Sequence, residues 1–168
     1  MSGLGSPATG WLTPQRLGWL VAVGVLVVDQ LTKWWILAAV MDPPRAIAVA
    51  PFFNIVLVFN RGVSFGMFGT APGWMPWLLT AFALAIAAGL GVWLRRVRGR
   101  WLGVALGLII GGALGNVIDR LRFGAVVDFL DFHAAGYHWP AFNVADSGIT
   151  VGVAVLLLDA LKSPQRSS

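Results

Sequence analysis

The chain has 168 residues, 58% of them hydrophobic and only 11% charged, with a formal net charge of +5. A soluble domain carries about 25% charged residues, so a freely soluble globular enzyme is excluded, and so is a disordered chain, which needs low hydrophobicity. There is no cysteine, which removes disulfides, thiolate metal sites and thiol nucleophiles.

Residues 1–15, rich in Gly, Ser, Pro and Thr, predict a loose start. An apolar stretch follows over residues 17–40, broken by Asp29 and Lys33. Those two charges would interrupt the core of a cleavable signal peptide, so an uncleaved span is expected. They are spaced i,i+4, which brings their side chains together on a helix and lowers the cost of inserting both. Residues 41–73 form a loop. Within it residues 46–59 are rich in Val, Ile and Phe and predict a short strand pair lying on the membrane surface, closed by the turn signal Asn60-Arg61-Gly62. Residues 62–66, GVSFG, match G-x-S-x-G, but a nucleophile elbow also needs a strand–turn–helix context, a histidine and an acid. Neither His133 nor His138 lies in such a pattern, and Asn60 and Arg61 read better as donors to a backbone or a lipid headgroup.

Residues 74–94 and 101–118 are the second and third apolar stretches, joined by the arginine-rich link 95–100. A helix needs roughly 20 apolar residues to cross a bilayer, and both approach that. Gly103, Gly107, Gly111 and Gly115 recur every fourth residue, a stripe that predicts close helix contact and a central place for the third span. Residues 119–141 form a second loop with a short amphipathic helix expected over residues 126–133. Residues 142–161 are the fourth span. The expectation is therefore an all-α polytopic membrane protein, a single membrane domain of four spans with a small β-rich loop and a short interfacial helix. Arg16, Arg95, Arg96, Arg98, Arg100, Lys162 and Arg166 then share one side, which Lys/Arg asymmetry makes cytoplasmic. Both termini face inward, and loops 41–73 and 119–141 face outward. The positive charge reports topology rather than nucleic-acid binding.

Ionisable groups within a membrane are functional candidates. Asp29 and Lys33 read as a structural pair. Asn116, Asp119 and Arg120 close the third span at its outer end. Asp119 reads as paired and structural, and Arg120 as a holder of lipid phosphate or of helix-end carbonyls. Asp128 and Asp146 each stand among apolar residues near the outer interface, and the connecting hairpin can bring them face to face. Two close carboxylates in a low-dielectric site share a proton, one acting as base toward water while the other polarises a carbonyl. The helix dipole favours the anion at Asp146. The rival reading is that these aspartates merely cap helices. No metal site is expected.

Asp29-Gln30-Leu31-Thr32-Lys33, residues 60–66, residues 111–120 ending in Asn116-Val117-Ile118-Asp119-Arg120, Val126-Val127-Asp128-Phe129 and Phe142-Asn143-Val144-Ala145-Asp146-Ser147 stand in this order. Together they resemble the bacterial lipoprotein signal peptidase family, the type II signal peptidases. The resemblance implies an aspartic endopeptidase of the bacterial inner membrane that cuts diacylglyceryl-modified prolipoproteins just before the lipidated cysteine, near the outer face. It maps the catalytic pair onto Asp128 and Asp146, with Asn60, Asn116, Arg120 and Asn143 as substrate-binding or supporting residues and Asp29, Lys33 and Asp119 as structural polar residues; Arg61, read above as a donor beside Asn60, is counted with the supporting residues. It implies no cofactor, a monomer, contact with membrane lipids and inhibition by cyclic peptide antibiotics. The loop sequence NRGVSFG departs from the family's usual NxGAAF. The alternative class is a small helical transporter or channel subunit using embedded acids as an ion relay.

Overall fold

A computed structural model describes residues 12–62 and 72–162. The GVSFG match from residue 63 onward and the expected loose segment up to residue 11 lie outside the described residues. Helix α1 (Pro14–Trp35) starts at Thr13, whose hydroxyl accepts the Arg16 N–H at 3.3 Å, with Pro14 opening the first turn. It runs on into a π-helical turn over Ile36–Val40. Strands β1 (Ile47–Ala50) and β2 (Phe53–Asn60) follow, then helices α2 (Met75–Leu94) and α3 (Arg100–Phe123). Strands β3 (Val126–Ala134) and β4 (Tyr137–His138) lead to helix α4 (Val144–Lys162). Among the described residues, four helical segments are long and apolar enough to cross a membrane. Their outward faces carry large apolar residues such as Trp19, Leu20, Phe82, Val92 and Leu157, a surface suited to lipid rather than water.

Helix α3 is central: α1, α2 and α4 all pack on it. Lipid offers no hydrophobic drive for helices to associate, so close backbone approach must hold them. The glycine stripe provides it. A Cβ at Gly107 would run into the Gly18 carbonyl oxygen, one at Gly111 into that of Ala22, and one at Gly112 into that of Ala145. The first two positions seat α1 and the third seats α4.

The second loop differs from expectation. Residues 126–133 form no amphipathic helix. They are the greater part of β3, the longest strand, antiparallel to β2 with Asn60 opposite Val126 and Val58 opposite Asp128. The sheet order is β1-β2-β3-β4, so both loops contribute to one sheet. The physical reason is the run Val126-Val127 with Phe129 and Phe132: β-branched and aromatic residues fit a pleated surface between β2 and the helix ends. Phe129 packs with Ile36 and Met41, tying the sheet to the end of α1.

Helix α3 also extends beyond the expected end at residue 118, to Phe123. It stops at Gly124, whose φ of +65° is the left-handed conformation that a non-glycine residue adopts only under strain, and whose N–H caps the Arg120 carbonyl at 3.0 Å. The extra turn carries Asp119 and Arg120 on a helix directly beneath β3.

Candidate active site

The start of α4 is built by a reciprocal cap. Asn143 Oδ1 accepts the Asp146 N–H at 2.9 Å, and Asp146 Oδ2 accepts the Asn143 N–H at 3.3 Å. Capping occupies only the oxygen of the Asn143 amide. Its nitrogen donates to Asp128 Oδ1 at 2.7 Å and to the Val127 carbonyl at 3.2 Å. One fully buried side chain therefore holds both aspartates, Asp128 from β3 and Asp146 from the first turn of α4.

Two further amides complete the cradle. Asn60, at the end of β2, donates to Asp128 Oδ2 at 3.1 Å, while its oxygen accepts the Gly62 N–H at 2.8 Å. Asn116, on α3, donates to Asp146 Oδ1 at 2.8 Å. Arg61 follows Asn60 and is exposed. Asp128 is buried, Asp146 half-buried. Burial, and after it the negative charge of Asp146, pushes the Asp128 carboxyl up to about 7, against the opposing pull of its hydrogen bonds to Asn60 and Asn143 and of Lys33. A carboxyl raised this far still carries its proton in a large share of molecules near neutral pH, and it sits beside a second, half-buried carboxyl. Such a pair can offer a proton and a base at once.

Beneath the pair lies a buried ion cluster. Lys33 Nζ is 2.9 Å from Asp29 Oδ2, 2.7 Å from Asp119 Oδ2 and 3.1 Å from Asn116 Oδ1. Asp29 Oδ1 accepts the Ala145 N–H at 2.9 Å, and Asp119 Oδ2 accepts the Val127 N–H at 3.0 Å. Gln30 Nε2 bridges the two acids, 3.1 Å from Asp29 Oδ2 and 3.0 Å from Asp119 Oδ1, and also donates to the Gly115 carbonyl at 3.2 Å. Asp119 is thus paired with Lys33, not with the adjacent Arg120.

Arg120 points elsewhere. Its buried Nε has no hydrogen-bond partner among the described residues. With Asn116 and Asp146 it lines a cavity of about 300 Å³ otherwise walled by apolar residues of α2, α3 and α4, among them Phe82, Ile109 and Ile149. A second cavity, about 550 Å³, is bounded by Asn60, Trp139, Phe142, Asp146 and Thr150. Asp146 borders both, so the half-exposed carboxyl stands where two ligand-sized spaces meet.

A sequence model of signal peptidase (SPase) II matches residues 21–162. The chain belongs to the signal peptidase II family. It is 51% identical over 162 residues to the lipoprotein signal peptidase of Paraburkholderia phymatum, covering 95% of this chain and 94% of that protein. It is 49% identical to that of Methylobacterium radiotolerans, over 92% and 91% of the two chains. Two solved structures of a bacterial membrane enzyme superpose with TM-scores of 0.76 and 0.73 at 34% and 32% identity, covering 87% and 90% of this chain and 93% and 94% of theirs. Members of this family are aspartic endopeptidases, and the chain is one.

For this signal peptidase II, the structure brings together Asp128, Asp146, Asn60, Asn116 and Asn143 and stacks Asp29, Lys33 and Asp119 below them. Gln30 is the polar residue that sequence reasoning passed over. Its signal was available: an amide inside an apolar helix must find buried partners, and Gln30 adjoins Asp29. The transporter alternative finds no support, because the embedded charges it would use, Asp29 and Lys33, are engaged with each other and with Asp119.

Proposed function

We propose that Asp128 and Asp146 are the pair with which this enzyme removes signal peptides from lipoprotein precursors. The observation that carries the reading is the single Asn143 amide holding both residues, with Asp128 buried and its carboxyl raised to about 7, and Asp146 bordering the cavities. Asp146 takes a proton from a water molecule as the oxygen attacks the scissile carbonyl carbon. Asp128 donates its proton to the carbonyl oxygen, which would otherwise become an oxyanion. The tetrahedral diol collapses, the leaving nitrogen takes the proton from Asp146, and the diol returns a proton to Asp128.

The substrate is a diacylglyceryl prolipoprotein, cut just before its lipidated cysteine. Its acyl chains hold the scissile bond at a fixed depth, which reduces the entropic cost of bringing it to the acids. The 300 Å³ apolar cleft and the wider cavity on the far side of Asp146 offer separate room for apolar and peptide parts of the substrate. The unpartnered Arg120 Nε is a donor for a substrate carbonyl or ester oxygen. Lys/Arg asymmetry orients the chain in the bacterial inner membrane with Arg95, Arg96, Arg98 and Arg100 cytoplasmic, both termini inside and the sheet outward. The enzyme works as a monomer among membrane lipids, since one chain supplies every residue named, and cyclic peptide antibiotics would occupy the same cavities.

The test is cleavage of a diacylglyceryl prolipoprotein by purified enzyme. Asp128→Asn and Asp146→Asn should each abolish turnover while leaving thermal unfolding in detergent close to that of the wild type. Processing at the wild-type rate by either variant removes that residue from the pair.

A further inference from the structure

We infer that Lys33 is a positioning residue for catalysis: a single ammonium sets the spacing between the two backbone segments that carry Asp128 and Asp146. The inference rests on the reading of these two acids as the catalytic pair. Each carboxylate that Lys33 binds also accepts a backbone N–H, and each N–H belongs to the residue just before one member of the pair. Asp29 holds Ala145, adjacent to Asp146, and Asp119 holds Val127, adjacent to Asp128.

An ammonium has three donors, and here three acceptors meet it: Asp29, Asp119 and Asn116. The third contact has its own effect. With Lys33 donating to Asn116 Oδ1, the Asn116 nitrogen is left to donate to Asp146. Lys33 thus anchors both backbone segments through Asp29, 116 residues before Ala145 along the chain, and Asp119, and with Asn143 sets the amide orientation beside one of the acids. Side chains of Lys33, Asp29 and Asp119 are 3%, 0% and 1% exposed, so water cannot substitute for the ammonium. Without it, the two buried carboxylates cannot both stay ionised, and the charge-assisted hydrogen bonds that hold Val127 and Ala145 weaken.

The experiment compares wild type, Lys33→Met, Asp29→Asn and Asp119→Asn in cleavage of a diacylglyceryl prolipoprotein across pH, alongside thermal unfolding. The charged groups around the pair are Asp29 and Lys33 from α1 and Asp119 and Arg120 from α3, while α2 carries no charged residue. A misplacement of about 1 Å reduces turnover about 100-fold. Lys33→Met, assayed below its unfolding temperature, should lose about that much kcat with KM nearly unchanged and a displaced alkaline limb of the pH profile. The two asparagine variants retain a side-chain oxygen to accept the backbone N–H. They should fold even where Lys33→Met does not, and should show a smaller kcat loss of about 10-fold with the same kind of limb displacement. Folded variants with wild-type kcat and an unmoved limb would overturn the inference, as would a loss of activity matched in full by the fraction unfolded. An inactive wild type, or active Asp128→Asn and Asp146→Asn, would instead sink the catalytic reading itself.

Discussion

Asn143 and Asp128 meet at 2.7 Å, amide nitrogen to Oδ1, across the junction between β3 and α4. The same amide caps α4 through Asp146, so helix initiation and the geometry of the acids are one structural event. Asn143→Ala should lose the cap, worth about 1 kcal/mol, and strand the Val127 carbonyl and Asp128, worth about 1–3 kcal/mol for each buried group left unsatisfied. Turnover should fall about 100-fold or more. Thermal unfolding and cleavage rates measured together check both parts. A variant that loses stability but keeps wild-type kcat would show that Asn143 only caps.

The raised Asp128 carboxyl gives a signed pH dependence. Its folded-state value of about 7 lies above the ordinary 3.8, so the folded protein binds a proton that the unfolded chain releases. This group's contribution to stability is complete below about pH 4 and is lost as pH rises through about 7. On the proposed mechanism turnover should follow on the alkaline side, since Asp128 then loses the proton it would give to the carbonyl oxygen. Asp146→Asn removes the charge that helps raise Asp128, so the pH window over which stability declines should narrow from its upper end. Unfolding temperatures across pH 4 to 8 for wild type and this variant provide the measurement.

Helix packing should be sensitive at the glycine stripe and tolerant away from it. Gly107→Val places a branched side chain against the Gly18 backbone, which cannot yield as a flexible side chain would. Overpacking of this kind costs about 1–3 kcal/mol or more, and the separation of α1 from α3 also moves Lys33. Gly89→Ala meets nothing within 4 Å and should raise helix stability by about 0.5–1 kcal/mol. Unfolding in detergent distinguishes the two, and equal effects would refute the packing account.

The sheet carries a second hydrogen-bonded carboxyl, Asp131. Burial opposes ionisation of Asp131, but hydrogen bonds from Asn54 and His138, each 2.9 Å away, outweigh it and hold the carboxyl below the usual carboxylate range. That contribution is present above the ordinary value of 3.8 and lost as pH falls through the lower folded value. Asp131→Asn should therefore flatten the acid limb of stability while leaving kcat at neutral pH within about 2-fold. Melting curves between pH 2 and 5 test it.

The sequence by itself determined the four helices, since runs of roughly 20 apolar residues have no other stable fate in a bilayer. It determined the Asp29–Lys33 pairing through i,i+4 spacing, and its motif blocks marked Asp128 and Asp146. Only the tertiary structure decided the rest. Residues 126–133 are a strand because β2 stands beside them to take up their backbone hydrogen bonds, and a local pattern cannot reveal a partner 68 residues away. Asp119 joins Lys33 rather than neighbouring Arg120 because successive helical residues point apart, while α1 and α3 touch along glycines. The cradle of three asparagines and one lysine exists only where four elements converge. Spacing along a chain encodes what one element does alone; which polar groups meet in a buried site depends on how the elements pack.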